Sequence, residues 1–262
     1  MLKAFIIVLA LLLPFTASDA FAKAMTKPNE PKQARIKPQQ LVHEGVSFKT
    51  ADGYELKGDW FPAGQKAPVA LLLHQLGTNR SELLALAKIL QQKGISALAY
   101  DARVHGESTA KDGKKVTYES FQKQDFENMT LDIEAALGFL HKEKNVGKVP
   151  AAIVGASIQS STGLIYASKH PEIKALVMLS PGLDYHGIDT VGPMQAYGKR
   201  PVFIASSIED AASYKASKEL EKVAEGPKKR VTISDGGHGA AMFRKEPRLM
   251  EEVAGWLKEE LK

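Results

Sequence analysis

The sequence predicts an α/β fold in which helices cover both faces of a mainly parallel sheet. Short apolar runs typical of buried strands alternate with longer segments that carry apolar residues at helical spacing. A length of 262 residues with 44% apolar and 25% charged content suits one large domain with a substantial core. Because no internal repeat interrupts the alternation, we expect a single α/β domain over residues 41–262.

The first 22 residues have the composition of a secretory signal peptide. Lys3 precedes the apolar stretch Ala4–Phe15, and Ala20–Ala22 has the A-x-A form of a cleavage site. That stretch of about twelve residues is too short to cross a bilayer of about 30 Å, so we expect cleavage after Ala22 and no membrane span in the mature protein. The chain has no cysteine, which excludes disulfides and lipid attachment at cysteine. A periplasmic or secreted location is expected.

Residues 23–40 form a polar, proline-bearing stretch that we interpret as a flexible basic linker. Its five basic residues and one acidic residue give a net charge of five minus one, or +4, out of +5 for the whole chain. Nucleic-acid binding requires a basic face with interleaved aromatic residues on the domain itself, and the domain shows none. We therefore expect no nucleic-acid partner.

Local patterns define the elements of the domain in chain order. Within Gly45–Phe61, two strand-like runs flank the turn signal Ala51–Gly53, which predicts an antiparallel hairpin at the sheet edge. The remaining strands are predicted from short apolar runs, and the helices from apolar residues three or four positions apart. The predicted strands are Pro68–Leu73, Ser96–Tyr100, Ala151–Val154, Ala175–Leu179, Pro201–Ala205 and Val231–Ile233, and the predicted helices are Glu82–Lys93, Phe121–His141, Ile158–Lys169, Ala211–Val223 and Pro247–Leu261.

The strand Ala151–Val154 runs directly into Gly155, Ala156 and Ser157, and a helical pattern follows. A G-x-S-x-G elbow places a serine hydroxyl above the sheet on a strained strand-to-helix turn, so Ser157 is the candidate nucleophile. The usual second glycine of that pattern is replaced by Gln159.

Candidates for the acid and the base follow at the ends of two later strands. Pro201–Ala205 leads to Asp210, the candidate acid, and Val231–Ile233 leads to His238, the candidate base. The order serine, acid, histidine is the one found in α/β-hydrolases. Glu209 competes with Asp210 for the acid role, because sequence does not determine which carboxylate faces the imidazole.

These motifs resemble those of the α/β-hydrolase superfamily, and most closely its small esterase and dienelactone-hydrolase-like branch. Upstream of the serine, His74–Gly77 resembles the oxyanion-hole loop of that family, and Asp101–Ser108 resembles its D-x-R-x-H-G-x-S turn. The resemblance implies that backbone amides of Leu76 and Ile158 form the oxyanion hole, while the histidines of the two motifs are structural. Dienelactone hydrolases proper use a cysteine nucleophile, which this chain lacks.

The resemblance implies a serine hydrolase that cleaves small to medium carboxylic esters through an acyl-enzyme intermediate. The segment Ser180–Lys199 is too short for a large cap domain, which favours an open cleft and a small-molecule ester substrate. No H-E-x-x-H motif is present, and we expect neither a metal nor another cofactor. Four side chains of this segment are candidates to line the cleft: Tyr185, His186, Met194 and Tyr197.

Two alternatives stay open at this point. A serine peptidase or thioesterase of the same fold would use the same residues, since one triad and oxyanion hole act on esters, thioesters and amides. A hydrolase-like binding protein without catalysis is the second alternative, motivated by Gln159. A bulky residue there could displace the Ile158 amide, and a shift of about 1 Å can lower a rate 100-fold.

Overall fold

The computed structural model describes residues 42–117, 119 and 121–262. The predicted signal peptide (1–22) and the predicted linker (23–40) lie outside the described residues. The strands are β1 (Glu44–Lys49), β2 (Tyr54–Phe61), β3 (Val69–Leu73), β4 (Ser96–Tyr100), β5 (Ala110–Lys111), β6 (Lys114–Lys115), β7 (Ala151–Ala156), β8 (Ile173–Leu179), β9 (Asp184–Tyr185), β10 (Ile188–Asp189), β11 (Val202–Ser207) and β12 (Lys228–Ile233). The helices are α1 (Leu84–Gln92), α2 (Lys123–Glu127), α3 (Thr130–Glu143), α4 (Ile158–Lys169), α5 (Val191–Tyr197), α6 (Ala211–Val223), α7 (Ala241–Lys245) and α8 (Arg248–Glu260).

The central sheet has the order β12-β11-β8-β7-β3-β4-β2-β5-β6, and β1 pairs with β2. From β12 to β4 all neighbouring strands are parallel, whereas β1, β2 and β5 pair antiparallel at the other side. The predicted α/β-hydrolase fold, with its parallel sheet and N-terminal antiparallel hairpin, is confirmed. In such a sheet the carboxyl ends of the parallel strands share one edge, where ligands bind.

Helices pack on both faces of this sheet, as predicted. On one face α1 and α8 contribute Leu86, Leu90, Val253 and Leu257 to a core with Leu72 and Val154. On the other face, side chains of α3, α4, α5 and α6 pack against alternate residues of the same strands. Strands buried on both faces are continuous apolar runs, which is why β3, β4 and β7 could be located from sequence.

The predicted helix Phe121–His141 is wrong as a single element, because the chain forms the two helices α2 and α3. Between them, the N–H groups of Met129 and Leu131 bond to carbonyls three residues back, and the Thr130 hydroxyl bonds to the Glu127 carbonyl (2.8 Å). This tighter turning interrupts the four-residue pattern of an α-helix. The short elements β5, β6, β9, β10, α5 and α7 were not predicted from the sequence.

Residues 180–199 contain the two-residue strands β9 and β10 and the seven-residue helix α5. The expectation of a short segment without a large cap domain therefore holds.

Among the described residues, no helix is long and apolar enough to cross a membrane.

Candidate active site

The candidate site lies where the parallel strands end. Ser157 follows β7, Asp210 follows β11, and His238 follows β12, so three strand ends deliver the three side chains to one edge of the sheet. Residues far apart in sequence meet there because parallel strands all point the same way. The structure brings all three predicted side chains into one hydrogen-bonded chain.

Ser157 occupies a strained turn between β7 and α4. Its φ of 56° and ψ of −129° lie outside the helical and extended regions, in a conformation that is costly for a residue with a side chain. The turn is held by a bond from the Ser157 N–H to the Leu179 carbonyl (2.8 Å) and by the Ser160 hydroxyl, which donates to the Ser157 carbonyl (2.6 Å). These contacts maintain the elbow expected of a nucleophilic serine.

Gly155 permits the close approach of strand and helix at this elbow. A Cβ atom at position 155 would lie 2.5 Å from the Gln159 carbonyl oxygen and 2.7 Å from the Ser160 Cα, both of them backbone atoms. The Gln159 side chain is buried, and its Nε2 lies 4.0 Å from the Met129 sulfur. The elbow therefore accommodates glutamine at the second glycine position without separating helix from strand.

His238 connects the serine to Asp210. Its Nε2 lies 2.7 Å from the Ser157 Oγ, and its Nδ1 lies 2.6 Å from Asp210 Oδ2. A carboxylate only accepts hydrogen bonds, so Nδ1 carries the proton of the neutral ring and Nε2 accepts from the serine hydroxyl. The histidine side chain is 40% exposed and that of Asp210 only 16%, so the candidate base is accessible from solvent while the candidate acid is shielded.

Asp210 is stabilised as a carboxylate. Burial by itself raises its pKa, but hydrogen bonds from the Ser213 and His238 side chains outweigh burial and hold the pKa below its usual value. The Ser213 N–H adds a longer contact to Oδ1 (3.4 Å). An ionised acid is what a histidine base needs in order to keep its tautomer and to balance a positive imidazolium.

Glu209, the competing acid, does not contact the imidazole. Its Oε1 accepts the Gly237 N–H (2.5 Å) and pairs with Lys245 (3.2 Å) on the exposed side of the loop. It supports the loop before His238 rather than the ring.

The peptide group between Gln75 and Leu76 has a fixed orientation. The Gln75 carbonyl accepts from the His74 Nδ1 (2.8 Å) and from the Thr78 hydroxyl (2.9 Å). In a trans peptide the N–H points opposite to the carbonyl, so these bonds aim the Leu76 N–H away from His74 and Thr78. Among the described residues, no hydrogen-bond acceptor is found for the Leu76 N–H.

The second predicted oxyanion donor is the N–H of Ile158, the first residue of α4. The first N–H groups of a helix have no partner within the helix, and they carry the positive end of its dipole. The Ile158 side chain is buried in an apolar cluster with Ala102 and Met129, and Leu76 packs against the same cluster. The two candidate donors thus belong to adjoining residues beside Ser157.

Comparison with known protein families agrees with this geometry. The Hydrolase_4 family, described as serine aminopeptidase, S33, matches residues 64–228 of the 262. The chain belongs to the Hydrolase_4 family. The matched region includes Ser157 and Asp210 and ends before His238.

Curated relatives of this Hydrolase_4 protein are distant. The thiohydrolase apmlB of Arthrinium phaeospermum is 29% identical over 180 residues, which cover 68% of this chain and 54% of that protein. The polyketide transferase ATR5 of Stachybotrys chlorohalonatus is 24% identical over 146 residues, covering 55% of this chain and 46% of that protein. The chain thus spans about half the length of these relatives.

Solved structures support the α/β-hydrolase fold of this Hydrolase_4 member. The Pyrococcus furiosus esterase Pf2001 superposes with a TM-score of 0.68 at 18% identity, covering 85% of this chain and 92% of that one. A dienelactone hydrolase of Anabaena variabilis gives a TM-score of 0.68 at 18% identity, covering 85% of this chain and all of the other. The resemblance predicted from the motifs is confirmed, and at this identity the structures show the fold alone.

His74 is structural in this member of the family, as expected. It is buried, its Nδ1–H donates to the Gln75 carbonyl, and its Nε2 accepts the Ala102 N–H (3.0 Å). This pairing requires a neutral ring, and burial lowers its pKa to about 4. His105 is also buried, its Nδ1 lies 2.9 Å from the Arg103 carbonyl, and burial lowers its pKa.

The D-x-R-x-H-G-x-S turn is tied down by buried ion pairs. The Arg103 guanidinium bonds to Asp132 (2.8 Å) and to Asp52 (2.7 Å), and it lies over the Tyr54 ring at 4.4 Å. Asp101 accepts the Glu107 N–H (2.8 Å). The turn therefore has a structural role beside the site.

Sequence reasoning missed a second layer of polar residues behind Asp210. The Ser213 side chain hydrogen-bonds to Asp210, and the Ser213 Oγ lies 2.8 Å from the Tyr185 hydroxyl. The Tyr185 ring also stands edge-on to His238, with centroids 6.3 Å apart. Ser213 follows the acid by three residues, the usual spacing of a helix cap, and that spacing is the one signal that could have identified it.

The other cleft candidates separate into two groups. Met194 and Tyr197 are buried in the core and do not line the cleft. His186 is exposed, and its ring stacks on Phe126 at a centroid distance of 4.2 Å.

In the part of the chain that the structure describes, no three histidine, aspartate or glutamate side chains are grouped so as to hold a metal ion.

Proposed function

We propose that this Hydrolase_4 protein is a serine hydrolase that cleaves small to medium carboxylic esters. The observation that carries the proposal is the continuous hydrogen-bond chain from Asp210 through His238 to Ser157, at 2.6 and 2.7 Å, on a strained elbow. A structural serine that only contacted a loop histidine would need neither a strained backbone at the serine nor a shielded carboxylate behind the histidine.

In the proposed acylation step, His238 Nε2 takes the proton from Ser157 Oγ as that oxygen bonds to the ester carbonyl carbon. The carbonyl oxygen becomes an oxyanion that accepts from the Leu76 and Ile158 amides. Asp210 holds the imidazolium through Nδ1–H. As the carbon–oxygen bond to the alcohol breaks, His238 returns the proton to the leaving alcohol, which leaves an acyl-serine.

Deacylation uses the same residues with water in place of the alcohol. His238 removes a proton from water, the hydroxide attacks the acyl carbon, and collapse of the second oxyanion restores the Ser157 hydroxyl and releases the acid. Oxyanion-hole donors act in both steps, and loss of one such donor typically lowers the rate about 10²–10³-fold.

The proposed substrate size follows from the elements around Ser157. Two short segments, α2 and the β9–β10 hairpin, meet beside the site through the stacked rings of Phe126 and His186. Phe126 and Ile188 belong to the same apolar cluster as Ile158, the residue after the nucleophile. This wall is made of two small elements rather than a cap domain, which favours short acyl groups over long lipids.

Thioesters are the second candidate substrates. A relative that is 29% identical over 68% of this chain is named a thiohydrolase, and a thioester carbonyl would fit the same nucleophile and oxyanion donors. Rates on an ester, a thioester and an anilide of one acyl group distinguish the possibilities. A thioester rate far above the ester rate would reassign the substrate class, and comparable anilide and ester rates would favour a peptidase.

Fluorophosphonate labelling of the purified protein, read by intact mass, tests nucleophile activation without knowledge of the substrate. We expect one adduct on the wild type and none on Ser157→Ala. The matched control is Ser161→Ala, which removes a buried hydroxyl from the same helix and is expected to label like the wild type. Failure of the folded wild type to label would favour the non-catalytic binding protein and make Gln159→Gly the next variant.

We also propose export across a membrane with cleavage after Ala22, on the basis of the N-terminal composition. N-terminal sequencing of the protein from a bacterial periplasmic fraction tests it. A first residue of Lys23 is expected, and full-length protein confined to the cytoplasm would contradict the proposal.

A further inference from the structure

Gln75 connects two loops that approach the reaction centre from opposite sides. It belongs to the loop after β3 that carries the Leu76 amide, and its side-chain Oε1 accepts the Ala240 N–H at 3.0 Å. Ala240 lies two residues after His238. One side chain therefore joins the loop of a proposed oxyanion donor to the loop of the proposed base.

The loop after β12 has a conformation that accommodates the Gln75–Ala240 contact. A Cβ atom on Gly239, which has a φ of 60°, would overlap Gln75 Oε1, so a glycine is needed where the glutamine side chain passes. The backbone donor at Ala240 also fixes the amide orientation of Gln75, because only the oxygen can accept this bond. The adjacent Gly239 N–H donates to the Ser180 hydroxyl at 2.8 Å, which anchors the same loop to the end of β8.

The other end of the bridge is equally constrained. The Gln75 carbonyl is held by His74 and Thr78, so the backbone that carries the side chain cannot drift. Bonds to other groups therefore fix both the Gln75 backbone and its side-chain oxygen.

We infer that Gln75 is a positioning residue that sets the distance between the Leu76 amide and the His238 imidazole. Without the bond to Ala240, the two loops can move apart, and the oxyanion donor and the base no longer fit one transition state. Since displacements of about 1 Å lower rates about 100-fold, the expected effect is on kcat. The inference rests on the proposed hydrolase function.

The test compares Gln75→Met, which keeps the length of the side chain and removes the acceptor, with the wild type. We expect kcat on a short p-nitrophenyl ester to fall about 10- to 100-fold with KM nearly unchanged. The matched control is Gln91→Met, which removes a buried amide donor to the Val42 and Pro62 carbonyls, remote from the site. That variant is expected to lose stability and to keep the wild-type kcat per folded molecule.

A second variant separates positioning from general loss of structure. Gln75→Glu keeps an acceptor for the Ala240 N–H and adds a negative charge near the imidazole, so the acidic limb of the kcat/KM profile should move to higher pH while kcat recovers relative to Gln75→Met. Wild-type kcat in Gln75→Met, or an unmoved acidic limb in Gln75→Glu, would overturn the inference.

Amide hydrogen exchange tests the Gln75–Ala240 bridge independently of the proposed hydrolase function. Exchange of residues 236–241 should accelerate at least tenfold in Gln75→Met and stay at the wild-type rate in Gln91→Met, and neither measurement requires activity. If exchange is faster in Gln75→Met but the wild type carries no fluorophosphonate label, the hydrolase function is rejected and the bridge is retained. Unchanged exchange would reject the bridge itself.

Discussion

Two adjacent carboxylates follow β11, and they face different partners. Asp210 bonds to the imidazole Nδ1 of His238, whereas Glu209 bonds to the Gly237 N–H and to Lys245. Sequence could place both at the end of the strand but not distinguish them, because orientation depends on how the following loop passes over them. The structure supplies that distinction and makes it testable.

Asp210→Asn should lower kcat by about 10⁴-fold, because an amide in this place favours the wrong imidazole tautomer. Glu209→Gln keeps an oxygen acceptor for Gly237 and should change kcat less than about threefold. Steady-state rates of the two variants on one ester check the prediction. Equal losses in both, or a larger loss in Glu209→Gln, would show that the acid has been assigned to the wrong residue.

Ser213 supports Asp210 from behind, through its hydroxyl and its N–H. Ser213→Ala removes one hydrogen bond to an ionised group, a contribution of about 1.5–3 kcal/mol, and should lower kcat roughly 10- to 100-fold. Ser217→Ala, one turn further along α6, breaks a buried hydroxyl pair with Ser206 instead and serves as the control. Comparable kcat values for the two variants would contradict a role for Ser213 in holding the acid.

Sequence predicted the three residues of the hydrogen-bonded chain because each follows an apolar strand, and strand ends converge in a parallel sheet. The contacts around them could not be predicted, even though Tyr185 was a cleft candidate and Ser213 has helix-cap spacing. The Tyr185–Ser213 and Gly239–Ser180 contacts join residues 28 and 59 positions apart, and they depend on loop conformations that no periodic pattern encodes.

At the scale of elements, the junction of β7 and α4 depends on Gly155. Gly155→Ala would place a methyl group 2.5 Å from backbone that cannot rotate away, and overpacking of this kind typically lowers the free energy of unfolding by about 1–3 kcal/mol. We expect that loss together with a greatly reduced labelling rate at Ser157.

Gly138→Ala is the matched control for this substitution. Nothing lies within 4 Å of a Cβ at position 138 in α3, so alanine should raise the free energy of unfolding by up to about 1 kcal/mol through helix propensity. Urea denaturation of both variants checks the pair. A Gly155→Ala protein with wild-type stability and labelling would contradict the packing of the elbow.

The contact of α2 with the β9–β10 hairpin should limit acyl length. Phe126→Ala removes a buried ring from the apolar cluster beside Ile158, and His186→Ala removes its exposed stacking partner. Because each accommodated methylene contributes about 0.8 kcal/mol, we expect the ratio of kcat/KM for octanoate over acetate p-nitrophenyl esters to rise at least about tenfold in Phe126→Ala.

Phe139→Ala controls for the loss of an aromatic stack elsewhere. Phe139 stacks on Phe48 at 5.2 Å, between α3 and β1, and its removal should leave the chain-length ratio unchanged. An unchanged ratio in Phe126→Ala would show that the wall does not contact the acyl chain.

Element boundaries were predictable where packing is periodic. Helices α4 and α6 begin and end where the apolar spacing indicates, because each packs one continuous face on the sheet. The break between α2 and α3 was not predictable. Apolar spacing continues across it, and the break lies in hydrogen bonds to carbonyls three residues back, which that spacing does not encode.

For the molecule as a whole, buried histidine makes stability depend on pH. His74 is neutral in the folded state, with a pKa lowered by burial to about 4, against 6.5 when unfolded. Between these values the unfolded chain binds a proton that the folded chain does not, so stability is complete above pH 6.5 and is lost as the pH falls towards 4. A difference of this size corresponds to roughly 3 kcal/mol.

The measurement is the free energy of unfolding of the wild type and of His74→Gln at pH 7.5, 6 and 5. The difference between the two proteins reports His74 together with its electrostatic interaction with His105, whose ring centroid lies 5.3 Å away. We expect the wild type to lose about 2 kcal/mol more than His74→Gln over this range. The Ala102 N–H donates to His74 Nε2, and this bond requires a neutral ring. Parallel curves of unfolding free energy against pH for the wild type and His74→Gln would contradict that neutral state.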